Sequence, residues 1–231
     1  MALTALDPYR PDQAFPPLTK ALDEPNGLLA IGGCLSPVRL LNAYRRGIFP
    51  WYNPGEPILW WSPDPRLVMF PEQVKLSRSL QKTLRRSLFT ITYDSAFNQV
   101  IECCAASRAG SNGTWITEEI KQAYRALHVL GLAHSAEAWA EGELVGGLYG
   151  IAIGQVFFGE SMFHKKTDAS KVAFVTLAEQ LRNWHYQLID CQVQTQHLLS
   201  LGAQEISRRD FVGRLHRYCL LKPAADAWQN R

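Results

Sequence analysis

The sequence predicts an α+β fold in which a small N-terminal unit precedes a larger domain built on a mainly antiparallel sheet. Three observations predict it. Apolar residues recur at helical spacing over residues 169–186, with Phe174, Leu177, Ala178, Leu181 and Trp184 on one face. Over residues 133–140, 144–153 and 155–163 the pattern is that of successive strands, with turns at Glu141-Gly142 and Gly154. An aromatic, proline-broken stretch, Phe49-Pro-Trp-Tyr52 and then Trp60-Trp-Ser-Pro-Asp-Pro-Arg66, closes the N-terminal unit, so the boundary falls between residues 66 and 67.

The remaining elements follow in order. Residues 1–17 are rich in proline and polar groups and wrap a surface. Asn26-Gly27 is a turn signal before the apolar run 28–31. Ser36-Pro37 supplies an N-cap and a first-turn proline for a helix to about residue 46, which Gly47 stops. Ser77 opens a helix to about residue 87, with Leu80 and Leu84 one turn apart. Residues 89–92 alternate as a strand, Asp94 caps a helix through residue 106, and Thr117 caps another through residue 130. Residues 188–194 form a last strand before a helix, a loop and a polar tail.

Composition narrows the function classes. The chain has 231 residues, of which 47% are hydrophobic and 19% charged, so it buries a real core and is not disordered. Its formal charge of +3 permits a nucleic-acid partner only if the charge is segregated. Residues 144–159 form the longest uncharged apolar stretch, too short and too glycine-rich to span a bilayer. No basic region followed by an apolar run marks a secretory signal. Five cysteines, with Cys103 and Cys104 adjacent and no CxxC, read as reduced thiols of a cytoplasmic protein. The histidines have no metal spacing, and neither a Walker loop nor GxGxxG occurs, so no metal or cofactor is expected.

Four groups of residues bear on chemistry. Along the strand at 188–194, Ile189, Cys191 and Val193 share one face and suit a core, while Asp190 and Gln192 share the other. The pair is open to two readings, a solvated sheet face or a polar site. Along the strand at 157–163, Phe158, Glu160 and Met162 share a face, and an acid between large apolar groups is pushed up in pKa unless it is paired. Such a glutamate either buttresses an apolar ligand pocket or is satisfied internally. Ser161 sits in Gly-Glu-Ser-Met-Phe, which lacks the final glycine and the strand-to-helix turn of a hydrolase elbow, so it is not a nucleophile. His134 and His197 have no supporting partners as catalysts.

Residues 73–93 contain no acid but carry Lys75, Arg78, Lys82, Arg85 and Arg86, the last four along one helix face. Like charges at that spacing repel. The face is either merely solvated or a polyanion site, and the absence of any intervening acid favours the polyanion. Trp51, Trp60, Trp61 and Trp115 either stack a base or pack between domains.

A run of motifs carries a resemblance. These are Gly27-Leu-Leu-Ala-Ile-Gly-Gly33, Tyr44-Arg-Arg-Gly-Ile-Phe-Pro-Trp-Tyr-Asn53, Ile58-Leu-Trp-Trp-Ser-Pro-Asp-Pro-Arg66 and Gly113-Thr-Trp-Ile116. They continue with Ala133-His-Ser135, Leu144-Val-Gly-Gly-Leu-Tyr-Gly150, Gly159-Glu-Ser-Met-Phe163, Ala169-Ser-Lys171, Leu188-Ile-Asp-Cys-Gln192, His197-Leu and Leu201-Gly-Ala203. In this order, over nearly the whole chain, they resemble the bacterial leucyl/phenylalanyl-tRNA–protein transferases. Cys34 and Ala136 depart from the family pattern, where Asp and Val are expected.

The resemblance implies an enzyme that moves Leu, Phe and, less well, Met from tRNA to the α-amine of proteins starting with Arg or Lys. The product would feed N-end-rule degradation in the cytoplasm. It implies a small N-terminal α/β domain, residues 1–66, and a GNAT-like acyltransferase domain, residues 67–231. By the same resemblance Asp190, Gln192 and Glu160 are central, Trp51 and Trp115 hold the aminoacyl-adenosine end, and Met162 with Phe158 lines the side-chain pocket. The expected roles are orientation of the acceptor amine and help with its loss of a proton by Asp190, directly or through Gln192, and retention of the donor's amino group or the acceptor's cationic side chain by Glu160. Two rivals stand beside this. An acyl-CoA-dependent N-acyltransferase requires a glycine-bearing pyrophosphate loop, but residues 163–170 contain no glycine. A non-catalytic tRNA-binding module accounts for the basic helix and tryptophans but not for the polar strand residues.

Overall fold

The computed structural model describes residues 3–107 and 114–229. Gly113 of the motif at 113–116 lies outside the described residues, as do residues 1–2. The chain begins with β1 (Thr4–Leu6), β2 (Leu28–Gly32), α1 (Pro37–Arg45), β3 (Phe49–Pro50) and β4 (Leu59–Trp61). These strands form a four-stranded sheet in the order β1-β2-β4-β3. Ser36 caps α1 by accepting from the Arg39 N–H. Gly47, at φ +75°, ends it where a Cβ would lie 2.9 Å from the Phe211 ring.

The chain then enters a second sheet with β5 (Arg66–Met69), followed by α2 (Arg78–Arg85), β6 (Thr90–Tyr93), α3 (Phe97–Ser107) and α4 (Glu118–Val129). The three predicted strands follow as β7 (Ala133–Ala140), β8 (Glu143–Ile153) and β9 (Val156–His164). After them come α5 (Ala169–Asn183), β10 (Leu188–Gln192), α6 (Gln196–Ser200), β11 (Gln204–Ile206) and α7 (Arg208–Tyr218). The sheet order is β11-β5-β10-β9-β8-β7-β6. Its pairings are antiparallel apart from β9 with β10. The α+β architecture is therefore the predicted one. Among the described residues no helix is long and apolar enough to cross a membrane.

Two buried clusters sandwich the larger sheet. One joins it to the first sheet and to α1, α3, α4 and α7, through Tyr44, Ile48, Trp60, Val100, Tyr124, Phe158 and Phe211. The other packs α5 and Leu80 of α2 on the opposite face, with Phe157, Phe174, Leu177, Leu181 and Ile189. Three local expectations need correction. Asp94 does not cap α3; at φ +55° its carboxylate instead accepts from the Ser135 N–H and bonds His134 Nδ1, tying the turn to β7. Val193 does not reach the core, because β10 stops at Gln192 (φ +64°) and leaves Val193 48% exposed.

The third correction concerns β9. Gly159 pairs with Gly150 and Ser161 with Tyr149, so Glu160 is an extra residue in the ladder. Such a bulge moves every later side chain to the opposite face. Phe158 thus packs toward the first sheet and Met162 toward α5, and the two do not share a face as alternation predicts.

The bulge rests on Gly150. A Cβ there would lie 2.3 Å from the Phe158 carbonyl oxygen and 2.6 Å from the Phe157 ring. Gly150→Ala is therefore expected to destabilise the fold by about 1–3 kcal/mol, read as a lower urea midpoint. An unchanged midpoint would show that the ladder tolerates the methyl group.

Candidate functional site

The parallel pairing of β9 with β10 runs only from Leu188↔Val156 to Asp190↔Phe158. Beyond it β9 bulges at Glu160, and β10 shifts register between Asp190 and Gln192. The two strands part, and a cavity of about 360 Å³ lies beside the break. Its walls include Pro50 and Trp51 from the first sheet, Trp115, and the apolar side chains of Leu148, Met162, Phe174, Ile189 and Leu198. Glu160, Asp190 and Gln192 also line it.

Asp190 is fully buried and paired in a fork with Arg66, Nε to Oδ1 at 2.8 Å and Nη2 to Oδ2 at 2.7 Å. The Arg66 guanidinium lies between the rings of Phe49 and Phe211, 4.6 and 4.8 Å from their centroids. The Gln192 N–H donates to Asp190 Oδ1 at 3.0 Å, so the carboxylate also fixes the turn that ends β10. Gln192 Nε2 then donates to Glu160 Oε1 at 2.9 Å. Gln192 thereby joins the two carboxylates rather than standing beside Asp190 as strand alternation predicts.

Glu160 is 9% exposed. The Tyr44 hydroxyl donates to its Oε1 at 2.7 Å and the Tyr124 hydroxyl to its Oε2 at 2.8 Å. The two phenol oxygens also touch each other. Burial pushes the Glu160 carboxyl up to about 7, the Asp190 charge adds to this, and the hydrogen bonds from Tyr44, Tyr124 and Gln192 act against it. Burial, then the charge of Glu160, raises both phenols well above their ordinary range.

The other predicted residues divide. Trp51 is 46% exposed at the rim, tilted 5.8 Å from Trp61, whose Nε1–H donates to the Trp51 carbonyl. Trp60 is buried against Phe15 with its Nε1–H on the Gly32 carbonyl, a packing residue. Phe158, expected in the pocket wall, is not among the lining residues; it lies on the far side of β9, edge-on to Tyr44 at 5.2 Å. Lys75, Arg78, Lys82, Arg85 and Arg86 are all exposed on or beside α2, and none of them lines the cavity. Ser161 lies within β9 and not at an elbow.

Sequence reasoning missed Arg66, Tyr44 and Tyr124 as partners of the carboxylates. Arg66 and Tyr44 stand inside quoted motifs but were given no role, and Tyr124 sits on the buried stripe of α4, where it reads as core. His197, set aside as a catalyst, lines the cavity with its Nε2 buried and unbonded among the described residues. Burial lowers its pKa, with Lys171 and His164 adding to the effect. Cys191 also lines the cavity, but burial pushes its thiol up, so it stays protonated.

Comparison with known proteins gives a consistent result. A family model described as leucyl/phenylalanyl-tRNA protein transferase matches residues 68–216, and one described as the N-terminal domain of that protein matches residues 33–64. The leucyl/phenylalanyl-tRNA–protein transferase of Nitrosomonas europaea is 61% identical over 94% of this chain and 92% of its own length. That of Methylococcus capsulatus is 56% identical over 99% of this chain and 97% of its own. Solved structures overlap loosely. An L-PGS from Bacillus licheniformis is 12% identical with a TM-score of 0.41, covering 71% of this chain and 55% of that one. A GCN5-related N-acetyltransferase from Kribbella flavida is 11% identical with a TM-score of 0.37, covering 74% of this chain and 61% of that one.

Removing one partner of a buried ion pair leaves the other charge desolvated. Arg66→Met is expected to lower the unfolding free energy by about 3–5 kcal/mol, measured by urea denaturation. A loss below ~1 kcal/mol would mean that the Asp190 charge is relieved by water or by another donor.

Proposed function

The chain belongs to the leucyl/phenylalanyl-tRNA–protein transferase family, and from that premise we propose that it moves leucine, phenylalanine and, less well, methionine from tRNA to the α-amine of proteins that begin with arginine or lysine. It is an aminoacyltransferase. Its product, on this reading, carries a destabilising N-terminus and enters N-end-rule degradation in the cytoplasm. One observation carries the reading: an apolar slot of Met162, Phe174 and Ile189 shares a single cavity with the Glu160–Gln192 pair.

The chemistry asks for little beyond such a cavity. An aminoacyl ester is already activated. The attacking α-amine has an ordinary pKa of about 7.7–8.0, so a useful fraction is free base at neutral pH. Alignment of the two reactants supplies roughly 7–11 kcal/mol of the barrier reduction. Trp51 and Trp115, on the cavity rim, hold the aminoacyl-adenosine end. Met162 with Phe174 and Ile189 receives the amino-acid side chain. Phe158 supports this arrangement from beneath by packing on Tyr44. Asp190 acts through the turn it fixes, since both its oxygens are held by Arg66, and Gln192 faces the reactants. The five basic side chains on and beside α2 bind the phosphates of the acceptor stem, which convert their mutual repulsion into attraction.

Transfer of labelled Phe from Phe-tRNA to a peptide with N-terminal Arg tests the reading directly. Leu and Phe donors are expected to outpace Met. The β-branched Ile and Val should fall behind by shape, because an apolar pocket separates neighbours by ~1–3 kcal/mol per methylene. Transfer from an acyl-CoA but not from aminoacyl-tRNA would replace this function by the rival one. For the basic helix, replacing Arg78, Lys82 and Arg86 with Ala should weaken binding of every tRNA alike. It should also flatten the log K against log salt slope by roughly 0.7–0.9 unit per lost phosphate contact. An unchanged slope removes α2 from the interface.

A further inference from the structure

We propose that Glu160 is the group that takes a proton from the attacking amine and returns one to the leaving ribose oxygen, with Tyr44 and Tyr124 as the positioning residues that hold that proton. The inference rests on the aminoacyl-transfer reading and assigns a role within it.

Two acids line the cavity, Glu160 and Asp190. Asp190 has both oxygens on the Arg66 guanidinium and is spent on the fold. Among the described residues Glu160 has no cation as partner; it is met by two phenols and a carboxamide, all neutral donors. Proton counting then separates its two states. Three oxygen–oxygen contacts close a ring: Tyr44 with Tyr124, Tyr44 with Glu160, and Tyr124 with Glu160. The phenols supply two protons. With Glu160 ionised, one of the three contacts has no proton; with Glu160 protonated, each contact has one. The ring therefore takes up and releases a proton without moving a heavy atom.

The titratable and charged groups around the carboxyl come from five elements: Tyr44 of α1, Tyr124 of α4, Asp190 of β10 with its Arg66 partner on β5, and Tyr149 of β8, which acts on the two phenols. Burial against these neighbours brings the Glu160 carboxyl to about 7, where it serves as base and acid in turn. The step balances. The carboxylate takes one proton from the bound ammonium, and the freed lone pair forms the N–C bond to the ester carbonyl. As the bond from that carbon to the ribose oxygen breaks, Glu160 gives its proton to the oxygen and takes the second proton from nitrogen. The products are an amide, a free ribose hydroxyl and one proton, which Glu160 releases to solvent.

The test is the pH profile of transfer from Phe-tRNA to an Arg-initiated peptide, paired with a carbon-13 carboxyl titration of Glu160 in the unliganded chain, assigned with Glu160→Gln. The carboxyl should titrate near 7. Glu160→Gln should lose ~100-fold or more in turnover while Phe-tRNA binding stays within a few fold. Tyr124→Phe removes one donor to the carboxylate, so the carboxyl midpoint and the acid limb of the profile should rise together. A rise of about one pH unit gives a ~10-fold loss on the acid side that is recovered by pH 8.5; the amine's own titration is common to both proteins. A carboxyl midpoint below 5, near-normal turnover of Glu160→Gln, or an equal loss by Tyr124→Phe at every pH would each overturn the proton role. If Glu160→Gln fails to fold, the pH profiles of the unmodified chain and of Tyr124→Phe still decide. An unmodified chain that transfers nothing from any aminoacyl-tRNA instead refutes the transferase reading itself.

Discussion

The fork between Arg66 and Asp190 holds the rest of the structure in register. It joins β5 to β10 within the larger sheet. Its guanidinium is clasped by Phe49 from the first sheet and Phe211 from α7, so one buried charge pair ties together segments from the first and last thirds of the chain. A buried ion pair gives little net stability unless its geometry is near ideal and its remaining donors and acceptors are met. Here the fork is bidentate and the aromatic faces meet the flat sides of the cation, which suits Arg and not Lys, but its Nη1 is buried without a hydrogen-bond partner among the described residues. What the pair supplies is placement. Asp190 Oδ1 also accepts the Gln192 N–H, which fixes the left-handed turn at Gln192 and sends that carboxamide to Glu160.

The bulge at Glu160 is the second constraint. An uninterrupted β9 would pair through to β10 and present Glu160 and Met162 on one face. The extra residue, seated on Gly150, breaks the ladder where the cavity begins. Phe158 is thereby left under Tyr44 and Met162 is released toward the slot. A single inserted residue thus produces both the opening and the separation of its polar floor from its apolar wall.

These two constraints explain what was legible in the sequence. Element types were legible because they depend on local period and capping: Ser36, Ser77 and Thr117 cap the helices they were expected to cap, and the strands from Ala133 onward lie where alternation put them. The participation of residues 160, 190 and 192 in one cavity followed from the motifs that carry them. What alternation cannot register is a slip of one residue, and both strands of the site slip, which misplaced Phe158 and the direction of Gln192. Nor can local pattern supply partners such as Arg66, Tyr44 and Tyr124, which lie 124, 116 and 36 residues from the carboxylates they hold. Each reads locally as an ordinary strand or helix residue.

Two carboxyl groups in one cavity would repel if both were ionised and unpaired. The fold resolves this by giving them different partners. Asp190 has a cation in a fork; Glu160 has phenols and an amide, which solvate it without opposing charge. This difference in partners assigns Asp190 to structure and leaves Glu160 for the proposed proton transfer. The apolar side chains beside Glu160 serve both ends of the proposed reaction. They keep the cavity apolar around the buried carboxyl, and they form the surface against which a leucine or phenylalanine side chain would be measured. Donor selection and the acidity of Glu160 therefore meet in one cavity, where burial raises the carboxyl and the slot of Met162, Phe174 and Ile189 receives the side chain. A change that widens or hydrates the slot should disturb both at once.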